Sequence, residues 1–253
     1  MKLLELVVGP ETDPEVVELI ADFGENTLGK GIVYGKDTPN FVANRIGVHA
    51  VMAALKYMGE LEMTPEEVDA IAGPAMGRPR TAAFRTMDLV GLDTFAAVAR
   101  NVYNNCPNDE VRDLFNPPAY IDQMLEKGYL GNKTRGGFYK KTKTPEGKKQ
   151  ILAINTKTLE YEPVKKPKFD SVKAAKDAEG LDKKLRTLIN GDDKAAQFAW
   201  KSLAASFQYS ANRLGEIADD VVNIDRGMRW GFNWEMGPFQ TWDAVGVKET
   251  MDR

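Results

Sequence analysis

Cysteine and histidine are almost missing from this chain of 253 residues, which contains one of each, Cys106 and His49. A single cysteine excludes an internal disulfide, and no set of cysteines and histidines at metal-ligand spacing can be drawn. A Ser-His-Asp or Cys-His catalytic arrangement would have to be forced through His49, which reads as a structural residue on a long helix. Charge of one sign is lacking as well. The 34 basic and 37 acidic residues leave a formal charge of −3, so no global pull toward nucleic acid or an anionic membrane is expected. No apolar run approaches the roughly 20 residues that cross a bilayer, and the apolar start before Gly9-Pro10 is too short for a secretory signal. That start reads as a buried strand, and the whole pattern is compatible with a cytoplasmic protein.

What is present is a sequence that nearly repeats itself. From Thr38 the chain reads TPNFVANRIG, then MTPEEVDAIAG, then FRTMDLVGLDTF; from Gln208 it reads QYSANRLG, then DVVNIDRGMRWG, then GPFQTWDAVGVKET. Aligning Asp88-Leu-Val-Gly-Leu with Asp243-Ala-Val-Gly-Val brings Asn44-Arg45 near Asn212-Arg213. A duplicated helical unit is predicted, with these two Asn-Arg pairs in equivalent places.

Leu3 to Val8 is a short apolar run that suits a strand covered on both faces. Asp13-Pro14 opens a helix with Val16, Val17, Ile20 and Phe23 on its apolar face, and Gly31 to Tyr34 is a second strand. Residues 1–37 thus read as a strand-helix-strand remnant of a larger sheet domain, too small to stand alone. From Thr38-Pro39 the pattern is helical, with a central, nearly all-round apolar helix followed by a capping box at Thr64 to Glu67. Further helices are expected at Thr94 to Asn104, Asp109 to Phe115 and Pro118 to Lys127. Residues 38–139 form the first helical domain. Residues 140–190, rich in lysine and proline, read as a solvated linker with a hairpin at Gln150 to Pro163. Residues 191–253 carry the second helical repeat, built on a long helix from Asp192-Asp193. The expected fold class is mainly α.

Three places could carry chemistry. Glu5 lies inside the run LLELVV, where desolvation raises a carboxylate pKa unless a cation faces it; the alternative is an edge strand that turns it to solvent. Asn44 stands near the start of the buried helix, where an amide can donate to a carbonyl and accept from a hydroxyl, or simply bond a neighbouring helix. The loop from Lys127 to Tyr139 is basic and glycine-rich. Its Lys133 and Arg135 could meet a phosphate, or the loop could be docked by Phe138 and Tyr139 alone.

DTPNFVANR is similar to the segment DTPGFxxNR that opens the helical domain of the 3-hydroxyacyl-CoA dehydrogenases. MDLVGLD and GPFQTWDAVGV resemble further signatures of that domain, and GYLGNKTRGGFY resembles its closing loop, GxLGxKTGxGFY. The opening MKLLELVVG resembles the strand after the family's catalytic histidine motif. The resemblance implies NAD-dependent oxidation of an (S)-3-hydroxyacyl-CoA to a 3-oxoacyl-CoA in fatty-acid β-oxidation. In that scheme a histidine takes the hydroxyl proton, hydride passes to nicotinamide, and a glutamate orients and stabilises the histidine. Carried over by position, Glu5 matches that glutamate, Asn44 the asparagine that contacts the reacting oxygen, and Lys133 the lysine that approaches NAD. Acyl-CoA is the implied substrate, with the missing NAD-binding domain and a homo-oligomeric copy as implied partners.

There are departures. No GxGxxG follows a strand, and the family's catalytic histidine and substrate-contacting serine have no match. Gly77-Arg78-Pro79-Arg80 replaces the usual turn before the DLVGL helix. Asn40 replaces the usual glycine before the helix, which is tolerable if that position has ordinary helical dihedrals. The chain by itself is therefore expected to be inactive, with one half-site near Asn44 and a scaffolding role for Asn212. A non-catalytic helical assembly module and an acyl-CoA-binding module are the alternatives.

Overall fold

The computed structural model describes Met1–Arg253 and is mainly helical. Strand β1 (Leu3–Val7) pairs in parallel with β2 (Gly31–Gly35), placing Glu5 opposite Val33. Between them runs α1 (Pro14–Asp22), whose first turn is capped by Asp13 accepting from the Glu15 amide at 2.9 Å. Val16, Leu19, Ile20 and Phe23 remain exposed. Two strands and one helix leave that apolar face without a covering layer.

The central helix α2 (Ala43–Glu60) is buried around most of its circumference. It begins later than its sequence predicts. Asn40 and Phe41 adopt left-handed φ values of 68° and 51°, so residues 38–42 form turns instead of the first helical turn. The condition of ordinary helical dihedrals at Asn40 is not met. Asparagine is the side chain that best tolerates this region, and here its amide donates to the Val98 carbonyl at 2.9 Å and accepts from Asn101 at 2.8 Å.

Helices α3 (Pro65–Ile71), α4 (Phe84–Val90), α5 (Leu92–Asn105) and α6 (Ala119–Glu126) follow. The Thr64–Glu67 capping box is formed, whereas the helix expected at Asp109 to Phe115 is only a 3₁₀ turn over Arg112–Phe115. The lysine-rich stretch is not a loose connection. Its KKTKTPEGKK run is the hairpin of β3 (Tyr139–Lys143) and β4 (Lys149–Ile154), completed antiparallel by β5 (Tyr161–Pro163). Then α7 (Asp170–Asp177) and α8 (Leu181–Ile189) bury Val172, Ala175, Leu185, Leu188 and Ile189 in the main core. Lysines spaced around these few apolar residues hid two amphipathic helices.

Helices α9 (Lys194–Asn212), α10 (Val221–Gly231), α11 (Pro238–Val245) and α12 (Val247–Met251) complete the chain. Helix α9 runs antiparallel to α2, with Arg45 meeting Tyr209 at one end and Glu60 meeting Lys201 at the other. Helix α10 packs on β1, β2 and α2. The approach is close. A Cβ on Gly31 would lie 2.4 Å from the Trp230 ring, and one on Gly47 would lie 2.1 Å from the Phe232 ring.

The two Asn-Arg pairs are not equivalent: Asn44-Arg45 opens α2, while Asn212-Arg213 closes α9. The correspondence lies downstream. Thr64 caps α3 as Asp220 caps α10. Five residues on, Asp69 accepts from the amides of Ala83 and Phe84 at 3.0 and 2.8 Å, and Asp225 accepts from Phe239 and Gln240 at 2.9 and 3.1 Å. Each buried carboxylate thereby closes the N-terminus of the next helix, α4 or α11. Burial lifts both pKa values to about 6 against those hydrogen bonds.

Candidate active site

Helix α2 has no capping side chain of its own at its N-terminus. Glu5 supplies one from β1, its Oε1 accepting from the Ala43 amide at 2.7 Å. The carboxylate is half-buried. Desolvation raises its pKa above the usual glutamate range, opposed by the amides of Ala43 and Val42. Its negative charge faces the positive end of the helix rather than a cationic side chain.

Asn44 is the next residue, exposed and without a side-chain hydrogen bond in the chain. It lines a cavity of about 340 Å³ with Arg78, Leu89, Val90, Phe232 and Trp234. Both the amide donor and the amide acceptor of Asn44 are thus available to a ligand. Phe232 and Trp234 come from the segment between α10 and α11, so the C-terminal helices build part of this wall. Arg78 stacks over Trp234 at 4.2 Å, and burial lowers its pKa to about 10. These contributions were not visible in the sequence, because residues more than 150 positions apart meet here. The one available signal was Arg78 standing in an altered turn.

Lys133 sits in a 3₁₀ turn, Asn132–Thr134, and remains exposed. Its Nζ lies 2.5 and 2.6 Å from the two carboxylate oxygens of Asp93. It holds the outer side of the α4–α5 corner at Gly91, whose preceding residues Leu89 and Val90 wall the Asn44 cavity. Glu5 and Asn44 are therefore brought together on one helix terminus, and Lys133 lies one corner away. Behind it, Asp88 accepts from the Phe138 and Tyr139 amides at 2.8 Å each, so the loop is docked while Lys133 stays at the surface.

His49 is remote from this chemistry. Its ring stacks on Tyr209 at 3.9 Å with an interplanar angle of 2°, and burial lowers its pKa to about 3. Beside it, Arg45 and Arg213 converge on Asp109 at 2.7 and 3.0 Å, and Tyr209 bonds the same carboxylate at 2.8 Å. Burial drives Asp109 upward, but these donors hold its pKa below the ordinary aspartate range. The cluster joins α2, α9 and the segment between α5 and α6.

Residues 41–141 match the family described as 3-hydroxyacyl-CoA dehydrogenase, C-terminal domain. A "Probable 3-hydroxyacyl-CoA dehydrogenase" of Bacillus subtilis is 47% identical over 253 residues, covering 100% of this chain and 31% of the relative. A protein of the same description from Deinococcus radiodurans is 43% identical over 162 residues, covering 62% of this chain and 46% of the relative. Among solved structures, the 3-hydroxybutyryl-CoA dehydrogenase of Escherichia coli K12 superposes with a TM-score of 0.69 at 21% identity, over 99% of this chain and 62% of that one. At that identity the superposition shows a shared fold. The chain spans less than half the length of the two curated relatives.

Proposed function

We propose that this chain works within an NAD-dependent (S)-3-hydroxyacyl-CoA dehydrogenase that oxidises 3-hydroxyacyl-CoA to 3-oxoacyl-CoA in fatty-acid β-oxidation. The observation that carries the reading is Glu5 bonded to the residue before Asn44, with the Asn44 amide free at a cavity. The Asn44 side chain donates to the oxygen that becomes the ketone, fixing the reacting carbon. Glu5 holds a negative charge beside it that orients and stabilises an imidazolium. That imidazole is not His49, which is enclosed by Tyr209 and Phe115. Lys133 approaches the cofactor from the α4–α5 corner.

NAD, the hydride acceptor of the proposed reaction, finds no phosphate cradle in these residues. The turn after β1 carries Glu11, Asp13 and Glu15 around the start of α1, a negative surface that repels a diphosphate, and no GxGxxG is present. No hydride step is assigned to these residues. The matching caps at Asp69 and Asp225 support duplicated helical units, in which the second serves as a built-in partner of the first.

In the complete enzyme, Glu5→Gln and Asn44→Ala should each lower kcat by about 100-fold or more, the scale of one catalytic interaction. NADH formation from 3-hydroxybutyryl-CoA measures it, and full kcat in both variants would reject the assignment. The 253-residue chain assayed alone should show no turnover. The free Asn44 amide also favours a second reading, an acyl-CoA-binding module without chemistry. Calorimetry with a 3-oxoacyl-CoA tests it, since binding lost in Asn44→Ala supports the groove and no binding by the intact chain supports pure assembly.

A further inference from the structure

Arg78 is the one charged side chain lining the Asn44 cavity, and it has no partner. Its guanidinium forms no salt bridge and no hydrogen bond within the chain. The acid brought nearest by the backbone is Glu235, whose amide donates to the Gly77 carbonyl at 2.8 Å, yet its carboxylate is exposed and unpaired. Desolvation alone moves the Arg78 pKa, with no carboxylate close enough to oppose it. A cation drawn out of water without an anion is costly. It stands, moreover, in the turn where the sequence departs from the dehydrogenase pattern.

The cation is held in place. Its own amide donates to the Gly73 carbonyl at 3.1 Å, and Gly77 before it turns at a φ of 65°, where a Cβ would meet the Leu181 side chain at 2.5 Å. The Glu235–Gly77 bond ties the segment after α10 to this turn, which sets Trp234 over one face of the guanidinium. Stacking leaves the N–H fork free in its own plane, the arrangement that matches the two oxygens of a carboxylate. Val51, Leu89, Val90 and Phe232 make the rest of the wall largely apolar. A cavity of about 340 Å³ is near the lower end of small-molecule sites, roughly 300–1,000 Å³. It suits a short chain. A single cation in an apolar slot balances a single negative charge, whereas a phosphate would demand further donors.

We propose that Arg78 selects short acyl chains that end in a carboxylate. With the reacting oxygen at Asn44, the chain lies along Leu89, Val90 and Phe232, and its terminal carboxylate pairs with the Arg78 fork. The acyl thioester rests on the dehydrogenase reading, whereas the carboxylate site stands without it.

Calorimetric titration of the full 253-residue chain with hexanoate, and with hexanamide as its neutral counterpart of the same shape, reads the carboxylate site without any chemistry. Hexanoate should bind at least about tenfold more tightly. Arg78→Met should abolish that difference, and Arg78→Lys, which keeps the charge but loses the fork, should retain part of it. In the complete enzyme, kcat/KM is compared for two six-carbon 3-hydroxyacyl thioesters, one ending in a carboxylate and one in a methyl. Their ratio should exceed about ten and fall at least tenfold in Arg78→Met. A loss of structure lowers both substrates together and leaves the ratio as it was, so the ratio reports on Arg78 itself. Should Arg78→Met fail to fold, the preference of the intact chain for hexanoate and the ratio in Arg78→Lys still decide. The proposal is overturned by equal binding of hexanoate and hexanamide, by tighter binding of inorganic phosphate than of hexanoate, or by a complete enzyme that prefers the methyl-ended thioester. Turnover of both thioesters at equal kcat/KM rejects the role of Arg78 and leaves the dehydrogenase reading standing. Preference for hexanoate with turnover of neither thioester rejects that reading and leaves the carboxylate site.

Discussion

Arg135 illustrates how single residues here depart from what is locally easiest. A left-handed conformation costs an ordinary L-residue about 1–2 kcal/mol, and glycine escapes that cost at some loss of chain entropy. With Arg135 at a φ of 62°, Arg135→Gly should therefore raise stability by up to about 1 kcal/mol, measured by urea denaturation, and an unchanged or lowered midpoint would contradict the strain. His49 makes the opposite point, a titratable group held out of action. Its folded pKa is lowered to about 3 from 6.5, so the unfolded chain binds the extra proton first. Stability is then complete above about pH 6.5 and is lost as pH falls toward 3, by at most about 1.4 kcal/mol per pH unit. Denaturation curves of the intact chain and His49→Gln should converge or cross as pH is lowered from 7 to 4. A constant gap would contradict the assignment. Glu5 was legible as a candidate because a carboxylate inside an apolar run is costly without a partner. That the partner is a helix terminus could not be read, since Ala43 reaches β1 only through the turn at Asn40.

Among the elements, the capped pairs α3–α4 and α10–α11 share one device, a buried aspartate closing the next helix. Asp69 also accepts from the Tyr139 hydroxyl at 2.9 Å. Asp69→Ala and Asp225→Ala should each cost about 2–3 kcal/mol, because each leaves buried amides without partners. Equilibrium denaturation of the two variants measures this, and a negligible loss in one of them would show that the two units are not built alike. The DLVGL and DAVGV segments lie at the ends of the two helices, α4 and α11, that these aspartates close. The Asn-Arg pairs misled because three matching letters, ANR, carry no information about which end of a helix they occupy. The capping box at Thr64 and the proline start at Pro14 were legible for the opposite reason, since their bonds span only two or three residues, whereas the start at Pro39 was not. The lysine-rich stretch failed as a linker because composition dominated its reading, whereas a helix needs only a few apolar residues at the right spacing to find a core.

For the whole molecule, the decisive feature is that α9 and α10 lie against α2, β1 and β2. Arg45 and Arg213, far apart in sequence, share one buried carboxylate, Asp109, so removing one side leaves charges unpaired in the interior. Truncation after Asn190 removes this part of the core, including Phe198, Leu203, Tyr209 and Met228. The product should aggregate or lose cooperative unfolding; a soluble monomer with an unchanged melting temperature would show that the second unit is dispensable to the first. The same packing carries Phe232 and Trp234 to the Asn44 cavity, which makes the segment after α10 part of the candidate site as well as its support.

Residue order by itself determined the mainly helical fold, the helix starts set by local caps, and the choice of Glu5, Asn44 and Lys133 as candidates. Those follow from interactions within a few positions or from residue type alone. Tertiary structure decided that Glu5 caps the helix that Asn44 opens and that Lys133 stands a corner away beside Asp93. Those placements depend on burying apolar faces between elements distant in the chain, and that packing has no trace in the spacing of letters.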